Sequence, residues 1–519
     1  MLELIKKYSK TSAFISGLLS VAAFAPYFQI WAAFIGFGLL FFLLLNENSY
    51  KKLFIIGYFF GFAHFACGFS WVGQALLVDI NKTGWLYPIA LLASGGFFGL
   101  FASLSCVCCG IAKTTWNRWG VFCAAWVMSE WLRSFIFTGF PWNLLGYTWG
   151  ISLPMMQNAS VGGVYLTSLF AVMSYSILGV LLYLPKKQIL LTVLLFEIVL
   201  YGGNYAFGKW RLLNAKIEQT DTLVRIVQPS IPQSMKWSRE ISEENFAKYL
   251  NLSKTETKNK PNWIVWGETA SPFLLDEDME HLYMATNILS DDTLLISGMI
   301  SRHYKDGKYL PHNSMLVIAK NGEVKSYYHK SHLVPFGEYI PLREYLPKFI
   351  QPIANTIGEF GKGDGAKTIE IYPYPKFSGL ICYEIIFPHK IIDEKNRPDV
   401  VINLTNDGWY GNSAGPYQHW IIAKFRAIEE GVSVLRVANN GISGLINAFG
   451  EEKGVLPLNY GGISDVYLEK TDGFVTIYSR NGNAPVIILC LLLMIFCVIS
   501  RLKFRCEGIS ANECKQNRA

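Results

Sequence analysis

The sequence predicts a multi-pass α-helical membrane bundle of about eight spans that carries one large α/β domain on the outer side of the membrane. Three observations predict it. The 519-residue chain is 51% apolar and 15% aromatic but only 16% charged, well below the roughly 25% charge of soluble domains, and its mean hydropathy is +0.26. The apolar residues are segregated: 1–208 and 484–501 hold long charge-poor runs, whereas 209–483 read like a water-soluble domain. The basic residues that flank the runs fall in alternate loops. This composition excludes a disordered, nucleic-acid-binding or purely cytosolic protein. The predicted organisation is a bundle over 1–208 with about seven spans, an extramembrane domain over 209–483, a last transmembrane helix over 484–501 and a cytoplasmic tail over 502–519.

A membrane helix needs about 20 mostly apolar residues to cross a hydrocarbon core of about 30 Å. Such runs lie near 11–27, 29–45, 53–77, 87–112, 119–138, 163–184, 188–208 and 484–501. Eight crossings place both termini on one side. Lys6, Lys7 and Lys10 precede the first run and Lys51 and Lys52 follow the second. Lys113 and Arg118 follow the fourth, Lys186 and Lys187 the sixth, and Arg501, Lys503 and Arg505 the last. Counted alternately, all these clusters share a face, while Ser134–Pro185 carries no charge. The positive-inside rule then makes the termini cytoplasmic and turns 209–483 outward. Topology, rather than an acidic partner, accounts for the net charge of +7. Ala23-Phe24-Ala25 imitates a signal-cleavage site, but a second apolar run follows at once, so the first run is expected to stay as a span. In the bundle, Glu130 and Arg133 are spaced i, i+3 and could pair. The aromatic stretch Gly139–Gly162, with Trp142, Tyr147, Trp149, Met155 and Met156, suits an acyl-chain path or an interfacial belt equally.

Of the ten cysteines, only Cys382 lies in the outward domain, where thiols usually pair; a lone one there is flagged as reactive. Cys106, Cys108 and Cys109 sit in an apolar run with no His or Asp nearby and read as packing residues rather than metal ligands. No metal site, phosphate loop or dinucleotide fingerprint appears, and no cofactor is expected.

The outward domain alternates short β-type runs with helical stretches. Strands are predicted at Leu223–Gln228, Trp263–Trp266, Leu294–Gly298, Ser314–Ala319, Gly379–Ile381, Val400–Leu404, Val434–Ala438 and Gly444–Asn447. Helices are predicted at Ser242–Lys254, Asp276–Leu289 and Tyr417–Glu430. Three apolar runs end on a reactive group: Ile264-Val265-Trp266-Gly267-Glu268, Tyr327-Tyr328-His329-Lys330, and Gly379-Leu380-Ile381-Cys382. Strand ends at a sheet rim are where α/β folds hold chemistry. Singly, each is an ordinary turn or surface residue; together they supply acyl transfer. A thiol needs a base, which a carboxylate in a partly apolar pocket provides. The oxyanion needs fixed donors, which a lysine and a backbone N–H provide.

On these residues the chain resembles the nitrilase superfamily with its Glu–Lys–Cys triad. Its whole length resembles the bacterial apolipoprotein N-acyltransferase family. The matching segments are Gln233–Trp237, Trp266–Thr269, His329–Lys330 with Leu333–Pro341, Ile381–Glu384, Asn406–Gly411 and Gly415–His419, with Arg436, Asn439, Asn440 and Gly441. In the membrane part they are Glu130–Arg133 and Gly139–Trp142. Gly408 departs from the small Ala that many members carry. The resemblance implies an α-β-β-α sandwich for the outward domain and a location in the bacterial inner membrane, with that domain periplasmic. It implies Cys382 as nucleophile, Glu268 as proton acceptor and Lys330 as oxyanion stabiliser. Glu338 would support the lysine, Tyr383 and Glu384 would lie beside the nucleophile, and Trp237 would sit near an entrance. Implied partners are a phospholipid acyl donor, diacylglyceryl apolipoproteins as acceptors and the lipid bilayer, with no nucleic acid. His419 reads as a structural histidine. The alternatives that residue types leave open are a membrane-anchored amidase with the same triad and a non-catalytic transporter or sensor.

Overall fold

The computed structural model describes residues 1–305, 308–345, 352 and 360–516, without the side chains of 305, 308 and 501–516. The predicted tail charges Lys503 and Arg505, with Arg501, Cys506 and Cys514, have side chains outside that description. The chain forms two compact units: Met1–Ser70, Pro88–Arg211 and Asn481–Ala519 in one, Trp71–Tyr87 and Leu212–Arg480 in the other.

The first unit is helical. Its principal helices are Ser9–Val21, Ile30–Leu45, Tyr50–Gly68, Tyr87–Cys109, Thr115–Leu132, Ala159–Tyr183, Lys187–Leu213 and Ala484–Gln516. Each predicted apolar run is therefore helical over much of its length. Among the described residues, however, only three helical stretches, Ile80–Cys109, Ala159–Tyr183 and Lys187–Leu213, are long and apolar enough to cross a membrane. A fourth qualifies if Tyr50–Gly68 and Ser70–Leu77, bent by 43°, count as one. The expectation of eight is corrected accordingly, and the reasons are local. The run 53–77 breaks between Gly68 and Ser70, and the first helix has 13 residues, about 20 Å at 1.5 Å per residue. The run 119–138 stops at Leu132 because the Arg133 guanidinium takes the carbonyls of Phe140 (3.0 Å), Trp142 (2.6 Å) and Asn143 (3.1 Å), folding the chain back.

Among the described residues Glu130 and Arg133 make no direct ion pair, although each feels the other's charge. Glu130 instead accepts from the Trp126 indole at 3.1 Å and from the Leu145 N–H at 2.8 Å. Trp142, Tyr147, Trp149, Met155 and Met156 are all buried, which removes the interfacial-belt reading for them. Small residues let the helices touch: a Cβ on Gly17 would lie 2.2 Å from the Phe60 carbonyl oxygen, the close approach that membrane-type packing favours. Cys106 packs in the same way against Gly57.

The second unit contains two six-stranded sheets. We label the strands β1 (Glu218–Gln228), β2 (Trp263–Trp266), β3 (Leu294–Lys305), β4 (Lys308–Ile318), β5 (Val324–His329) and β6 (Thr368–Ile369). They continue as β7 (Phe377–Ile381), β8 (Val400–Thr405), β9 (Ser433–Ala438), β10 (Ser443–Ile446), β11 (Glu452–Leu456) and β12 (Gly462–Lys470). The orders are β12-β1-β2-β3-β4-β5 and β11-β10-β9-β8-β7-β6. In each sheet the inner strands β1-β2-β3 and β7-β8-β9 run parallel.

Side-chain alternation explains the layering. Trp263 and Val265 of β2 face a core shared with Phe377, Ile402 and Leu435 of the other sheet. Ile264 and Trp266 point the other way, onto Phe246, Tyr249 and Leu250 of helix Ser242–Ser253 and Leu282 of helix Met279–Thr286. The helix Gly415–Glu430, buried along most of its length, accompanies the second sheet. The result is the expected α/β sandwich of two facing sheets with outer helices. The predicted strands recur, with β3 and β4 extended into a long hairpin. β6, β11 and β12 carry too little apolar alternation to be foreseen.

Candidate active site

Glu268 follows β2 directly, and the backbone there is tight. Its N–H points to the Thr405 carbonyl at 3.4 Å, and the next residue, Thr269, has φ +45°. The neighbouring strand has a glycine at the point of contact: a Cβ on Gly298 would sit 2.4 Å from the Gly267 carbonyl oxygen and 2.7 Å from Glu268 Cα. Only a residue without a side chain lets β3 pass so close to the turn that presents the carboxylate.

Lys330 follows β5, its N–H donating to the Asn313 carbonyl at 2.8 Å. Its ammonium is buried between two carboxylates, 3.4 Å from Glu268 Oε1 and 2.8 Å from Glu338 Oε1. Burial works against that charge, but Glu338 and Glu268 outweigh it and hold the lysine well above its ordinary range. Glu338 is fixed in turn, because its Oε2 accepts from the Val334 N–H at 2.8 Å.

Cys382 directly follows β7 and opens the 3-10 turn Cys382–Ile386. Its φ of +51° lies in the left-handed region, a strained setting for a non-glycine residue that collects at functional sites. Burial and the Glu268 charge push the thiol up to about 12, opposed by the Lys330 ammonium. At neutral pH the group is therefore a thiol, and it needs a base before it can attack. Its sulfur lies 4.0 Å from the Tyr410 hydroxyl. Cys382 is near enough to Glu268 and Lys330 to feel the charge of each. The sequence thus picked out four groups, Glu268, Lys330, Glu338 and Cys382, that the fold gathers at one place.

Glu384 has a different setting. It is buried, and its oxygens accept from the N–H groups of Ile381 (2.7 Å), Ser331 (2.7 Å) and His332 (3.0 Å) and from the Tyr328 hydroxyl (2.9 Å). It clasps the turn Cys382–Ile386 to the segment after Lys330. Tyr383 is buried with its ring against Phe387, centroids 5.2 Å apart. Trp237 is half-buried in the turn 233–237 and makes no hydrogen bond to Glu268, Lys330 or Cys382 among the described residues.

One site residue, Asn313, had no signal in the sequence, and Asp407, His419 and Arg436 stood out only as part of the segments that carry the resemblance. Asn313, within β4, donates from one amide nitrogen to Glu268 Oε1 (2.8 Å) and Glu338 Oε1 (3.2 Å), bridging the two carboxylates. Asp407, His419 and Arg436 form a buried cluster, with Arg436 2.7 Å and His419 3.0 Å from the Asp407 carboxylate. Burial would raise the Asp407 carboxyl, but Arg436 and His419 bring it down to about 2. Burial and Arg436 lower His419 to about 4, so its ring is neutral. The Cys382 backbone also acts on that ring, so the histidine read as structural lies next to the turn that carries the thiol. Trp71 belongs to this unit and stacks edge-on against Tyr410 at 4.6 Å.

Comparison with known proteins bears on both units. Residues 16–177 match the apolipoprotein N-acyltransferase N-terminal domain family, and residues 223–464 match the carbon-nitrogen hydrolase family. The apolipoprotein N-acyltransferase of Rickettsia typhi is 34% identical over 93% of this chain and 97% of its own length. The one from Rickettsia bellii is 36% identical over 92% and 95%. A solved amidase from Nesterenkonia is 14% identical, covering 52% of this chain and 96% of that one, with a TM-score of 0.37. By these full-length matches, and in agreement with its motifs, the chain belongs to the apolipoprotein N-acyltransferase family.

Proposed function

We propose that the protein is an acyltransferase that completes lipoprotein maturation by moving a fatty acyl chain from a phospholipid, through a Cys382 thioester, to the α-amine of a diacylglyceryl-cysteine N-terminus. The observation that carries the reading is the buried Lys330 ammonium, set between Glu268 and Glu338 and beside a thiol held in a left-handed turn. In the first half-reaction Glu268 takes the thiol proton and the sulfur attacks the ester carbonyl. The oxyanion is met by the Lys330 ammonium and the backbone N–H of Tyr383. Collapse expels the lysophospholipid oxygen, which receives the proton from Glu268. In the second half-reaction the free amine attacks the thioester, Glu268 removes its proton, and the sulfur leaves and takes that proton back to regenerate the thiol. Two steps through one covalent intermediate predict ping-pong kinetics.

In this reading the apolar helices lie in the bacterial inner membrane. Both termini are cytoplasmic and the catalytic unit is periplasmic, as the alternation of basic clusters supports. Both substrates are lipid-anchored, so a catalytic unit joined at each end to apolar helices suits them. The test is to incubate the full-length protein in detergent with phospholipid and a diacylglyceryl peptide. An acyl mass on Cys382 and an N-acylated peptide are expected. Free fatty acid without N-acylated peptide would make the protein a hydrolase, and full acyl incorporation by Cys382→Ser would remove the cysteine from the chemistry.

A further inference from the structure

Lys330 balances only one of the two carboxylates it touches. Glu268 and Glu338 together with this single ammonium leave the buried centre one negative charge in excess, before any charge develops on sulfur or substrate. The nearby Asp407 does not alter that sum, because Arg436 matches it at 2.7 Å. An uncompensated buried charge is costly, so a further cation should face the centre.

The turn Gln233–Trp237 supplies one. Lys236 is 5% exposed, which is rare for a lysine without a carboxylate in contact. Among the described residues its ammonium makes one hydrogen bond, to the backbone carbonyl of Glu268 at 2.8 Å. Its charge acts on both Glu268 and Cys382. The turn is held at both ends: Asn245 donates to the Met235 carbonyl at 3.0 Å, and Asn406 donates to Gln233 Oε1 at 2.8 Å. A buried lysine is therefore built onto the residue proposed as the base, from a segment about 30 positions away.

We propose that Lys236 is a positioning residue of the acylating centre, the second cation that offsets its excess negative charge and fixes the turn carrying Glu268. This rests on the function proposed above and assigns a role to a residue outside the triad. Burial lowers the Lys236 ammonium to about 8, with Glu268 and Cys382 opposing the fall. The lysine is thus charged at neutral pH and loses its charge on modest alkalinisation. Lys330 is held well above its ordinary range, and burial raises both Cys382 and Tyr410, so none of these three loses its proton near that pH.

The test uses the full-length protein in detergent and follows thioester formation from phospholipid alone, so that the acceptor amine does not contribute to the pH profile. The wild-type rate is expected to fall as pH rises through about 8. Lys236→Arg, which stays charged, should keep its rate to higher pH. Lys236→Met should be at least tenfold slower at pH 7 and show no fall near 8. A Lys236→Met protein with wild-type rate, or a Lys236→Arg protein whose rate still falls near 8, would overturn the assignment, and the arginine variant decides the matter if the methionine variant does not fold. A wild-type protein that forms no thioester at any pH would sink the proposed function itself, and this assignment with it.

Discussion

Replacing Asn313 by alanine tests whether the carboxylate pair is held in place by a residue that does no chemistry. The amide nitrogen lies 2.8 Å from Glu268 and 3.2 Å from Glu338. Hydrogen bonds to charged groups contribute about 1.5–3 kcal/mol, and distances near 3.2 Å fall at the weak end. Taking about 2 kcal/mol for the shorter bond and about 1 for the longer gives about 3 kcal/mol in all. If that whole sum positions Glu268 against the thiol, acylation slows by about two powers of ten, at 1.36 kcal/mol per factor of ten. Without its tether Glu268 is expected to close on Lys330, now 3.4 Å away, which converts a poised base into an ion-pair partner. The measurement is single-turnover acylation of Cys382, read by intact mass, beside a thermal unfolding curve that reports folding. A folded Asn313→Ala protein that acylates within threefold of wild type would refute the positioning argument.

Three further outcomes follow from the geometry. Gly298→Ala forces a Cβ to 2.4 Å from a neighbouring backbone oxygen; overpacking of that kind costs about 1–3 kcal/mol, so both melting temperature and acylation rate should fall. Glu268→Gln should slow acyl transfer by about 10²-fold or more yet speed alkylation of Cys382 by iodoacetamide, because the Glu268 charge is one of the influences that raise the thiol; slower alkylation would contradict that cause. Asp407 titrates near 2 when folded and near 3.9 unfolded, so its ion pair contributes about 2 kcal/mol that is fully present above about pH 4 and is lost as pH falls through 2. Acid unfolding of Asp407→Asn should lack that part of the pH dependence.

The reactive ends of β2, β5 and β7 were legible because the signal is local: an apolar strand stops on a carboxylate, an ammonium or a thiol. The two-sheet α/β domain was legible for a similar reason, since strands buried on both faces read as short apolar runs. Asn313 was not, because nothing in Pro311-His312-Asn313-Ser314 shows that β4 lies between the strands bearing Met299–Ile300 and His329. Strand β12 escaped notice too: its polar Asp465 has meaning only opposite Arg225, 240 positions away, to which it is ion-paired at 2.8 Å. Lys236 stood inside the matching segment Gln233–Trp237 but, as one of 46 basic residues, carried no role until the fold buried it. In the helical unit apolarity marked the runs but overcounted the spans, because an arginine gathering three carbonyls ends a helix without interrupting its hydropathy.

The left-handed backbone at Cys382 has a consequence for any attempt to harden this protein. A non-glycine residue in that region typically costs about 1–3 kcal/mol, a penalty glycine escapes. Selection for heat resistance alone would therefore drift toward glycine at position 382 and yield a sturdier molecule that, on the proposed mechanism, is inert. Stability and turnover compete at a single backbone angle, and improvement of one must be screened against the other.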